Sequence, residues 1–190
     1  MSDLKKYRDQ NVLDAARERI HYIFNEFDRV YLSVSGGKDS SVQMQLTRQV
    51  LEERDRGETF DVLFVDLEAQ YKATIEQMET LIANSQDVIG EIYWVCLPIS
   101  LRNAVSQIQP KWTCWNPDER GKWVREMPDR DYVISQDDNL FDFFEPEMEF
   151  EDFVDEFARW YAGRHDGVVA DAIAIRSNES LNRFRTLTNE

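Results

Sequence analysis

The sequence predicts an α/β protein, a parallel twisted sheet with helices on both faces. Three observations lead there. Strand-like and helix-like patterns alternate along the 190 residues. The run Phe60-Asp61-Val62-Leu63-Phe64-Val65-Asp66 is nearly continuous apolar sequence, as a strand buried in a parallel sheet requires. A strand pattern at residues 30–34 also passes through two glycines directly into helical spacing at Val42, Met44, Leu46, Val50 and Leu51.

The elements follow in order. Asn11 suits the cap of a first helix, with Asp14 supporting its positive end and Leu13, Ala16, Ile20, Ile23, Phe24 and Phe27 on one face. His21 lies beside that stripe as a surface or packing residue. In the first strand Val30, Leu32 and Val34 alternate with Tyr31 and Ser33. The second helix frays in the charged stretch from Glu52 to Glu58. After the 60–66 strand, Tyr71 to Ser85 reads as helix, with Ile75, Met78, Leu81 and Ile82 inward. Glu91 to Leu97 is a third strand stopped by Pro98, and Ser100 to Ile108 has the spacing of a short helix.

Regular spacing fails from about 109 to 148, where Pro110, Pro117, Pro128 and Pro146 punctuate a segment carrying Trp112, Trp115 and Trp123. A stretch of that length without periodicity reads as a functional loop or insertion. Phe150 to Tyr161 returns to helix, Gly163 and Gly167 bracket a break, and Val168 to Ile175 forms a last strand. Ser177 or Asn178 then caps a closing helix. The whole chain, 1–190, is expected to form one domain around one core.

Composition narrows the function. The chain holds 22 Lys and Arg against 37 Asp and Glu, a net charge of −15. A surface that grips nucleic acid needs clustered cations, so direct nucleic-acid binding is not indicated. Much of the acidity lies between Asp129 and Glu156, either a solvated face or a docking surface for a basic partner. No run of eighteen apolar residues occurs, which excludes an ordinary spanning helix. Cys96 and Cys114 form no metal spacing and are expected to be reduced thiols in a cytoplasmic protein.

The chemistry concentrates in Ser35-Gly36-Gly37-Lys38-Asp39-Ser40. A glycine turn between a strand and a helix lets backbone N–H groups approach a phosphate at the positive end of the helix dipole. Lys38 adds a cation, Ser35 and Ser40 add hydroxyls, and Asp39 can hold Mg2+ beside the phosphates. A Walker loop is excluded, because its glycine spacing is absent and Asp39 follows the lysine.

This hexapeptide resembles the PP-loop of the N-type ATP pyrophosphatases, the adenine nucleotide alpha hydrolases. A second stretch, Ala174-Ile175-Arg176-Ser177-Asn178-Glu179-Ser180-Leu181-Asn182-Arg183, resembles the late signature of the phosphoadenosine phosphosulfate (PAPS) reductase family, with Ala174 where that family usually has glycine. The resemblance implies that Arg176 and Arg183 converge on phosphate or sulfate, with Glu179 orienting one of them. It also places Asp66 and Glu68 near the adenosine, where a carboxylate could accept from ribose or help hold Mg2+. Tyr71 has a structural role on this reading, and Gln70 stays open. Trp112 and Trp115 form either an aromatic lid or a small satellite core.

Further stretches, at Phe64–Tyr71, Val95–Pro98, Leu101–Val105 and Trp123–Pro128, resemble a subfamily whose namesakes regulate bacterial immunoglobulin-binding surface proteins. Its members are often encoded beside a ParB-like protein, which the resemblance implies as a partner. They usually extend past the point where this chain stops, so a compact or truncated member is expected. Three activities follow from the resemblances. The preferred one binds ATP or a related adenine nucleotide with Mg2+ and cleaves it between the α and β phosphates to adenylate an acceptor, with Lys38, Asp39 and Arg176 at the reacting groups. A second is a nucleotide-binding regulatory subunit. The third, a sulfonucleotide reductase, lacks the family's Glu-Cys-Gly-x-His element and leaves Cys114 as its one plausible thiol nucleophile.

Overall fold

The computed structural model describes residues 9–103 and 108–175. Its elements run α1 (Val12–Glu26), β1 (Arg29–Ser33), α2 (Lys38–Arg54), β2 (Phe60–Val65), α3 (Lys72–Ala83), β3 (Ile89–Val95), β4 (Ser100–Arg102), β5 (Lys111–Thr113), a 3-10 turn (Pro117–Lys122), β6 (Val133–Ile134), α4 (Phe150–Arg164) and β7 (Val169–Ile173). Five strands form a parallel sheet in the order β6-β3-β2-β1-β7. β4 and β5 pair antiparallel in a separate ribbon. The expected α/β class is therefore the observed one.

Local chemistry explains the boundaries. Asn11 Oδ1 accepts from the Asp14 amide at 2.9 Å and starts α1. α2 runs through the charged stretch to Arg54 instead of fraying there, and Asp55 closes it at φ 48°. The Arg54 guanidinium anchors that end, reaching Glu58 at 2.5 Å and Asn25 and the Phe24 carbonyl of α1 at 3.0 and 3.1 Å. The alternation expected in β1 is absent, because Val30, Tyr31 and Leu32 are all buried. Both faces of the strand are covered.

The covering comes from the handedness of the crossovers. The β1-α2-β2-α3-β3 units step one way across the sheet, whereas α4 returns the chain from β6 to β7 on the far edge. Right-handed connections then place α4 on the face opposite α2 and α3. Phe157 and Tyr161 of α4 pack on Tyr31 and Tyr93, and the Tyr161 hydroxyl donates to buried Asp61 at 2.5 Å. Each such buried aromatic stabilises the fold by roughly 1.5–3 kcal/mol.

Two segments depart from the pattern reading. Ser100 to Arg102 is a strand where a helix was expected, while 104–107 lie outside the described residues. Pairing with Lys111–Thr113 and the Ser100 N–H on the Met148 carbonyl at 2.9 Å outweigh the local helical spacing. The 109–148 segment is only partly irregular. Val133 and Ile134 extend the main sheet beside Trp94 and Val95, and Phe141 enters the core against Phe153 and Trp160. A two-residue strand carries too little periodicity to be read from sequence.

Candidate functional site

The strand order reverses at β1, which has β2 on one side and β7 on the other. In open parallel sheets the crevice at the carboxyl ends of such strands is where ligands bind. The Ser35–Ser40 loop occupies that position. Val34 N–H donates to Leu63 O of β2 at 2.9 Å and fixes where the loop begins.

Gly36 then turns at φ 71°, a conformation glycine adopts without penalty. A Cβ there would sit 2.6 Å from the Thr74 methyl of α3 and 3.2 Å from the Thr74 carbonyl. Gly37 is the N-cap of α2 and has no side chain to satisfy the first amides. The end of the helix is thus open to an external anion.

The two predicted serines behave differently from two free donors. Their hydroxyls lie 3.2 Å apart, and buried Ser40 Oγ donates to the Gly37 carbonyl at 3.0 Å while lying 3.3 Å from the Ser35 N–H. Ser40 therefore shapes the turn. Lys38 and Ser41 face a shallow cavity of about 520 Å3, closed on the other side by Ala73, Thr74 and Gln77 of α3. Asp39 stands in the first turn of α2. Among the described residues no group of three His, Cys, Asp or Glu forms a ready metal cage. Mg2+ held by one carboxylate and substrate phosphates needs none, so Asp39 fits that mode.

Asp66 and Glu68 do reach the mouth of β2, but both carboxylates point into the protein, at 1% and 3% exposure. Asp66 Oδ2 accepts from Trp94 Nε1 at 2.9 Å; Oδ1 accepts from the Glu68 N–H at 3.0 Å and pairs with Arg125. Glu68, at φ 61°, accepts from the amides of Trp115 at 2.7 Å and Val124 at 2.9 Å. The strained backbone of a non-glycine residue there is offset by these two charge-assisted bonds. In this structure the pair braces the insertion, and neither oxygen set faces an open ligand space.

Trp115 is the satellite core, not a lid. It is buried, donates from Nε1 to the Asp66 carbonyl at 2.6 Å, and meets Trp123 edge-on with centroids 5.0 Å apart. Arg125 lies 4.9 Å over its ring. Trp112 is half-buried in β5. Tyr71 is the exposed N-cap of α3, a structural role at the start of the helix as expected. Gln70 faces a separate cavity beside Arg125, with its Oε1 buried and unpartnered.

Cys114 is not in an open loop. It is buried against the Leu97 and Ile99 carbonyls, and burial pushes its thiol up to about 12. Burial, with Asp66 nearby, raises the Cys96 thiol as well. Neither is poised as a thiolate. Ile173 is level with Ser33, so the chain leaves β7 beside the glycine loop. Arg176, Ser177, Asn178, Glu179 and Arg183 lie outside the described residues. Thr74 and Gln77 beside the loop, and Arg125 on Asp66, are contacts that sequence reasoning missed, because no local pattern links α3 to the loop or the insertion to the end of β2.

Comparison with known proteins falls on the same region. Residues 29–88, from β1 to the end of α3 and the turn after it, match the phosphoadenosine phosphosulfate reductase domain family. The chain is 44% identical over 174 residues to the uncharacterised protein YbdN of Escherichia coli (strain K12). That alignment covers 92% of this chain and 41% of YbdN, so the chain spans about two fifths of its relative. No solved structure matches the chain.

Proposed function

We propose that the chain binds ATP or a related adenine nucleotide with Mg2+ at the Ser35–Ser40 loop and cleaves it between the α and β phosphates, transferring the adenylyl group to an acceptor. The observation that carries this reading is the open N-terminus of α2 behind Gly36 and Gly37, facing a cavity that Lys38 also lines. The match of residues 29–88 to a sulfonucleotide-handling domain supports an adenine nucleotide as the ligand class.

The chain's own groups supply positioning and charge. Loop amides and the α2 dipole hold phosphate oxygens, and Lys38 neutralises charge that develops as the bond to the β-phosphate breaks. Asp39 would hold the metal, which when bound neutralises the phosphates. Arg176 and Arg183 would complete the clamp. An acceptor oxygen attacks the α-phosphorus and pyrophosphate leaves.

Burial of both cysteines favours this chemistry over thiol-dependent reduction of a sulfonucleotide. A regulatory subunit with a protein partner is the competing reading. The test is pyrophosphate release from Mg2+·ATP by the wild type and Asp39→Ala, with nucleotide affinity measured alongside. Release that disappears in the variant supports the reading. Binding without any release would sink it in favour of a sensor.

A further inference from the structure

α3 has a second side that the nucleotide reading does not use. Ala73, Thr74 and Gln77 face the glycine loop, whereas Ile75 and Glu79 line a separate cavity of about 600 Å3 against residues 124–130 of the insertion. At about 100° per residue the two sets lie on opposite sides of the helix, so α3 stands between the cavities. Ile75, Val124 and Pro128 give this second cavity apolar walls. Val124 is 67% exposed, yet its amide is fixed by Glu68, so the wall is preformed.

Gln70 and Arg125 also line this cavity. Gln70 Oε1 and Arg125 Nε are both screened from solvent, and neither has a hydrogen-bond partner. Burying an acceptor or a donor without a partner is costly, and here one of each meets the same space. The Arg125 guanidinium is otherwise anchored. It pairs with Asp66, donates to the Glu126 carbonyl at 3.4 Å and lies 4.9 Å over Trp115. Those contacts fix its plane and leave the Nε–H unused. The Gln70 amide turns about a soft terminal torsion, so an incoming donor can draw Oε1 into the cavity.

Charge narrows the ligand. Each lining cation has a carboxylate of its own: Lys72 pairs with Glu76 at 3.4 Å, Arg130 with Glu79 at 2.7 Å, and Arg125 with Asp66. No cation is left over for an anion, and exposed Glu126 adds negative charge at the rim. The orphan Arg125 N–H in turn disfavours a cation. We propose that this cavity is a second ligand site, separate from the glycine loop, for a small uncharged molecule of the carboxamide class. Its N–H would donate to Gln70 Oε1, its carbonyl would accept from Arg125 Nε, and its apolar body would lie on Ile75, Val124 and Pro128.

The experiment titrates benzamide, benzoate and benzamidine into the full 15N-labelled chain, following the Arg125 Nε–H signal by NMR. Wild type, Gln70→Leu and Gln70→Glu are compared. Benzamide should shift that signal and bind about tenfold more tightly than either charged analogue. Gln70→Leu should weaken benzamide about tenfold while raising the thermal midpoint of the free protein, since it removes an unpaired buried oxygen. Gln70→Glu, which gives Arg125 an internal partner, should weaken benzamide as well. No shift up to the solubility limit of benzamide overturns the proposal and leaves the two atoms to water. Equal affinity for benzoate or benzamidine overturns the uncharged class, and unchanged affinity in Gln70→Leu overturns the role of Gln70. Displacement of benzamide by ATP would merge the two cavities into one site and overturn their separation.

Discussion

At the scale of single residues, Gly36 is the position with the least freedom. Its φ of 71° and the 2.6 Å approach of the Thr74 methyl exclude a side chain on two separate grounds. Gly36→Ala should lower unfolding free energy by about 2–4 kcal/mol, from left-handed backbone strain and a forced shift of α3. Urea denaturation measures this, and nucleotide affinity should fall with it. The glycine was legible in the sequence, since strand, double glycine and helix occur in direct succession. Its neighbour Ser40 was legible only as a hydroxyl, and its buried bond to the Gly37 carbonyl is a tertiary fact. Asp66 and Glu68 teach the same lesson more sharply. Carboxylates after a parallel strand suggest ligand contact, yet here Trp94, Trp115, Val124 and Arg125 consume them.

At the scale of elements, Glu68 ties both ends of the 115–124 segment to the mouth of β2. Glu68→Gln presents an NH2 to one of the two amides that the carboxylate accepts, leaving a donor facing a donor. The expected cost is about 1–3 kcal/mol, with faster hydrogen exchange at the Trp115 or Val124 amide and little change in β1. Unchanged exchange at both amides would contradict the brace. Helices α1 to α4 were legible because their apolar faces repeat at helical spacing and each spans at least three turns. Strand β4 and strand β6 were not, since three and two residues hold no pattern and only pairing defines them.

For the whole molecule, a net charge of −15 sets a self-repulsion that the fold must hold together. Raising NaCl from about 0.01 to 0.3 M shortens the screening length from ~30 Å to under 10 Å and should raise the thermal midpoint. A midpoint that falls with salt would mean that the surface ion pairs outweigh the repulsion. No described helix is long and apolar enough to cross a membrane, in keeping with this charged surface.

The sequence by itself determined the α/β class, the strand–loop–helix on which the proposed anion site rests, and the helices with long apolar faces. These depend on backbone sterics and periodic burial, which operate within a few residues. Only the tertiary structure decided which carboxylates are consumed internally, that both thiols are shielded, and that α3 closes the loop cavity opposite Lys38. Those outcomes depend on side chains dozens of residues apart meeting in one space. Local periodicity carries no record of such meetings.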